Sequence, residues 1–116
     1  MNIKVFFSSL LRKINLLQFS DTVRFYILKV KNDKANRAFK KRNSSVLFPP
    51  DYLMYESFQL NYEKYYLGGR KTAEWLVEEV SKYVDLQEVN ILDWGCGPAR
   101  IIRHIPKLLE NKNNGY

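Results

Sequence analysis

Apolar residues recur at helical steps along most of the chain. Phe7, Leu10, Leu11, Ile14 and Leu17 fall three and four apart, with Lys4, Ser8, Ser9, Arg12 and Asn15 between them, which is the spacing of one helix face. Ser20 and Asp21 then offer an N-cap ahead of a second stripe, Val23, Tyr26, Ile27 and Val30, so the pattern predicts a helix pair. Asn43 to Ser45, followed by Pro49 and Pro50, breaks the pattern, because each proline fixes its own φ and pushes its predecessor toward extended geometry. Beyond the break, Tyr52, Tyr55, Phe58, Tyr62, Tyr65 and Tyr66 form an aromatic series that ends at Gly68, Gly69 and Arg70 and is expected to be core. Thr72 is placed to cap a further helix running to about Tyr83. Ala73, Leu76, Val77, Val80 and Val84 lie on one of its faces and Glu74, Glu78, Glu79 and Lys82 on the other.

After a polar turn from Asp85 to Glu88, Val89 to Trp94 reads as a short buried strand running into Gly95, Cys96, Gly97 and Pro98. Arg100 to Leu109 is helical in pattern, and Pro106 is expected to end or kink that helix after about Ile105. Where a strand hands over to a helix through glycines, a ligand can approach the backbone and the helix start offers free N–H groups. A dinucleotide site would want a third glycine where Arg100 stands, and Pro98 has no N–H to offer a pyrophosphate. Hydride transfer is thereby weakened as a reading, without being removed.

The run Asp93-Trp94-Gly95-Cys96-Gly97-Pro98-Ala99 resembles motif I of class I S-adenosylmethionine-dependent methyltransferases, an acid followed by three glycines at alternate positions, with Ala99 standing for the last glycine. The likeness runs loosely from about Pro49 to Leu109. It implies an α/β chain: the start of a Rossmann-like methyltransferase fold preceded by N-terminal helices and cut off after the first strand and helix. Three regions follow: 1–48, basic amphipathic helices; 49–88, aromatic-rich lead-in helices; and 89–116, an incomplete cofactor-binding unit. S-adenosylmethionine is the implied cofactor. Asp93 would lie near its ammonium, Gly95 and Gly97 would let the backbone pass beneath the methionine and ribose, and Cys96 and Ala99 would contribute backbone. The lead-in segment Tyr66 to Arg70 would lie over the cofactor, with Arg70 pairing with the methionine carboxylate; the plain alternative is a surface arginine. Neither the methyl acceptor nor a catalytic residue is read from the sequence. Only Glu110 is acidic after Arg100, so the acid that binds the ribose in such folds is missing, and the single strand has no evident neighbour. The chain alone is therefore expected to be either mainly helical around one orphan strand or partly disordered, and inactive in methyl transfer.

The net charge of +7 favours acidic partners. Lys29, Lys31, Lys34, Arg37, Lys40, Lys41 and Arg42 face only Asp33 between them. The simplest reading is a solvated helix face running into a linker; an anionic membrane surface contacted through residues 1–42 comes next, and nucleic acid last. Cys96 is the only cysteine and His104 the only histidine, so there is no internal disulfide and no metal-ligand cluster. His104 is expected to be a plain helix residue. No run of about 18 apolar residues exists, and the apolar stretch from Val5 to Leu11 is interrupted by serines and closed by Arg12 and Lys13, with no cleavage site after it. A reducing, cytoplasmic setting fits, with room for a peripheral membrane contact. Two other functional readings stand beside the methyltransferase: a small basic interaction protein with a relic glycine loop, and a subunit completed by strands from another chain.

Overall fold

The computed structural model describes residues 3, 4, 6, 9, 10 and 16–113, and most of the stripe from Phe7 to Leu17 lies outside them. Helix α1 is continuous over Leu16–Arg42, 27 residues and about 40 Å long at 1.5 Å per residue. It passes through Ser20 and Asp21 without a break, which corrects the expected N-cap there. Asp21 instead accepts a hydrogen bond from the Tyr55 hydroxyl at 2.7 Å. Lys40, Lys41 and Arg42 close the helix, placing cations at the carbonyl end of its dipole.

Residues 43–50 are irregular, and α2 (Asp51–Ser57) starts directly after Pro50. Helix α3 (Tyr62–Val80) begins at Asn61, whose side chain accepts from the Lys64 N–H at 2.9 Å. It runs straight through Gly68 and Gly69, so the glycine pair is not a turn. Nor is Thr72 a cap: its hydroxyl donates to the Gly68 carbonyl at 2.9 Å inside the helix. A 3-10 turn, Ile102–His104, leads into α4 (Ile105–Asn113). Pro106 therefore sits in the first turn of a helix, where its missing N–H costs nothing, and does not end one.

Two apolar clusters hold these helices together. Met54, Leu60 and Tyr65 form the first with Phe25, Phe48, Tyr55 and Tyr62 around them, and Ala73, Val77 and Ile105 form the second with Leu86, Ile101 and Leu108. Phe48 stacks on Tyr62 at 4.4 Å between centroids and meets Tyr66 edge-on at 6.3 Å. Tyr66 in turn meets His104, so the rings carry the packing from Phe48 at the first cluster to the 3-10 turn. The aromatic series is core in part, as its spacing suggested. Buried Asn36 accepts from the Tyr62 N–H at 2.9 Å and Asn32 accepts from the Asn61 side chain at 3.2 Å, tying α1 to the start of α3.

The expected α/β class is overturned. Among the described residues there is no strand and no sheet, and the chain is helical throughout its regular structure. Val89 to Trp94 is irregular and exposed, with Leu92 83% and Trp94 91% accessible. The physical reason is that a strand needs a neighbour to receive its N–H and C=O groups. Here the neighbouring elements are helices, whose backbone groups are already paired, and the apolar pattern from Val89 onward finds no ladder to join.

Candidate functional site

The loop after Trp94 is shaped by three residues in the left-handed region: Gly95 at φ 77°, Gly97 at φ 54° and Ala99 at φ 59°. The two glycines adopt it freely, whereas Ala99 carries a strain of about 1–2 kcal/mol. Its N–H closes the turn on the Cys96 carbonyl at 3.1 Å. Glycine would suit the third of these positions, and Ala99, which stands there in place of the motif's last glycine, holds it in spite of its side chain.

Helix α3 positions this loop. Fully buried Tyr65 donates its hydroxyl to the Pro98 carbonyl at 2.9 Å. One turn on, buried Gly69 lies against the Arg100 backbone so closely that a Cβ there would collide with the Arg100 carbonyl oxygen, whereas a Cβ on Gly68 would stand 3.8 Å from the Arg100 guanidinium. That guanidinium is held over the Phe58 ring, 4.4 Å from its centroid. Of the two glycines, Gly69 is the one that permits this close helix-to-loop approach.

The loop borders a cleft of about 220 Å³ lined by Ser57, Asp93, Gly95, Cys96, Gly97 and Arg100, among others. Asp93 and Arg100 bring opposite charges to this one cleft. Cys96 is exposed and its thiol unpaired by a disulfide. Ala99 closes the loop without lining the cleft. Arg100 is the lining residue that sequence reasoning misses; its position directly after the loop is the available signal, but the sequence pattern marks it only as the start of a helix and a departure from the dinucleotide motif.

Tyr66 and Arg70 lie elsewhere. They line a separate 140 Å³ pocket with Arg103, His104 and Lys107, and Arg70 pairs with Glu74 at 2.8 Å on its own helix. His104 is buried and packs edge-on against Tyr66, 4.7 Å between centroids, and its Nε2 finds no hydrogen-bond partner among the described residues. Burial chiefly, then the Arg103 and Arg70 charges, hold its pKa below the usual histidine value, with Glu74 and the Tyr66 carbonyl opposing them. The expected plain helix residue is thus a packing element between α3 and the 3-10 turn.

Among the described residues no group of acids, cysteines and histidines could hold a metal ion, and no helix is long and apolar enough to cross a membrane. Comparison with protein-family models, curated proteins and solved structures finds no match to this chain.

Proposed function

We propose that the Asp93–Arg100 loop holds the amino-acid end of S-adenosylmethionine, and that the chain carries the cofactor-binding portion of a methyltransferase whose acceptor is not assigned. The observation that carries this reading is one cleft shared by Asp93, Arg100 and a loop whose Gly95 and Gly97 have positive φ. A zwitterionic amino acid needs an anion for its ammonium and a cation for its carboxylate. Asp93 serves the first and Arg100 the second, since a guanidinium fork matches a carboxylate. Arg100 thereby takes the role that the sequence alone offered to Arg70, which is engaged with Glu74. Gly95 and Gly97 adopt the positive φ of the loop without strain.

When bound, the cofactor supplies a sulfonium methyl group for transfer to a nucleophile. The chain's own residues bind and orient one end of it. At about 220 Å³ the cleft is smaller than the roughly 300–1,000 Å³ of small-molecule sites, so the adenosine lies outside it. Further walls must come from another polypeptide segment for turnover, and the chain alone is inactive in this reading.

Titration calorimetry with S-adenosylhomocysteine tests it. Saturable binding in the micromolar to millimolar range is expected, weakened about tenfold or more by Asp93→Asn, as loss of a charged hydrogen-bond partner implies, and likewise by Arg100→Gln. Absence of heat at millimolar ligand, or binding indifferent to both substitutions, would sink the reading.

A further inference from the structure

The outward face of α1 is divided along its length. Leu16, Phe19, Val23, Tyr26, Ile27 and Val30 are all exposed, with Phe19 67%, Ile27 60% and Val30 78% accessible. At 100° per residue these six side chains fall within an arc of roughly 100° over about 22 Å of helix. Lys34, Arg37 and Lys41 fall in the same arc further along, and all three are exposed. Arg37 pairs with Asp33 at 2.8 Å, whereas Lys34 and Lys41 form no ion pair among the described residues. The opposite face is the one that packs: Phe25 joins the first apolar cluster, Asn36 holds the Tyr62 N–H, and Phe39 is buried.

An exposed apolar stripe of this size marks a contact surface. We propose that this face of α1 docks on an anionic lipid surface, its apolar half entering the headgroup boundary and Lys34, Arg37 and Lys41 lying on the lipid phosphates. The charge favours this occupant. Such a surface satisfies both halves of the face, its phosphates meeting the cations and its headgroup boundary the apolar side chains. A second copy paired antiparallel along the whole helix would set each apolar half against its partner's cations. Nucleic acid would satisfy the cations alone and leave six apolar side chains in water. The inference is independent of the cofactor cleft, since no residue of this face lines it.

Co-sedimentation of the full chain with phosphatidylcholine vesicles, with and without phosphatidylserine, provides the test. Binding should be at least about tenfold tighter to the anionic vesicles and should weaken as salt rises. Phe19→Ser with Tyr26→Ser and Val30→Ser should abolish it, and Lys34→Glu with Lys41→Glu should remove the preference for phosphatidylserine, both with unchanged circular dichroism. Equal partition to neutral and anionic vesicles, or indifference to the lysine reversals, would overturn the proposal. So would a stable dimer that the triple serine variant dissociates, or tight RNA binding, where vesicle binding is absent.

Discussion

Tyr65 on α3 donates its hydroxyl to the carbonyl oxygen of Pro98, 2.9 Å away and 33 residues along the chain. It is fully buried in the first apolar cluster, so the same ring that packs the helices also fixes the height of the glycine loop. Tyr65→Phe keeps the ring and removes the bond. The expected loss is about 1 kcal/mol, read from denaturant midpoints, together with weaker binding of S-adenosylhomocysteine than the wild-type chain shows. An unchanged midpoint would mean that the bond contributes nothing net.

The two glycines of α3 should behave oppositely. Gly68→Ala places its methyl in ordinary contact with the Arg100 side chain and should stabilise by about 0.5–1 kcal/mol through helix propensity. Gly69→Ala drives its methyl into the Arg100 carbonyl and should destabilise by about 1–3 kcal/mol before any propensity gain is subtracted. Thermal unfolding of the pair checks this, and equal shifts would refute the close approach.

Ala99→Gly relieves a left-handed alanine. The strain removed, about 1–2 kcal/mol, exceeds the about 0.4–1 kcal/mol of extra unfolded-state entropy that glycine brings. A rise in melting temperature is therefore expected, with the cleft unaltered. A fall would show that the position does not require positive φ.

His104 makes stability depend on pH. Its folded-state pKa lies below the ordinary 6.5, so the unfolded chain binds more protons in that window. Stability from this group is full above about 6.5 and is lost as pH falls toward the folded-state value. As the sole histidine, it gives one set of imidazole resonances, and their NMR titration midpoint should lie below 6.5. Melting temperature should fall more steeply between neutral and mildly acidic pH in the wild type than in His104→Gln.

Tyr62 carries the corresponding effect at alkaline pH. Burial first, then its hydrogen bond to Asp51, pushes its pKa up to about 12. The folded state thus holds the phenolic proton longer than the unfolded one, and stability is lost as pH rises from the ordinary 10.0 toward 12. Tyr62→Phe should flatten the alkaline fall in melting temperature relative to wild type.

Much of the local structure was readable because it depends on neighbours in sequence. The break at Pro49 and Pro50 follows from proline's fixed φ, and the core character of Tyr65 from its place in an aromatic stripe. Two readings depended instead on what lay opposite in space. Gly68 and Gly69 looked like a turn, yet Asn61 caps a helix that runs through both, and Gly69 exists for the Arg100 backbone. Val23, Tyr26, Ile27 and Val30 have the spacing of a buried face and are exposed, because the packing side of α1 is set by Phe25, Asn36 and Phe39.

The sharpest division is at Val89 to Trp94. By itself the sequence determined an apolar segment entering a glycine loop beside an acid, since side-chain character is a local property. Whether that segment becomes a strand was decided only by tertiary structure: a ladder needs unpaired backbone groups on a neighbour, and the elements beside it are helices that have none to spare. The same holds for the cleft, where Asp93 was legible from its motif, but only the fold brought Arg100, and not Arg70, to its side.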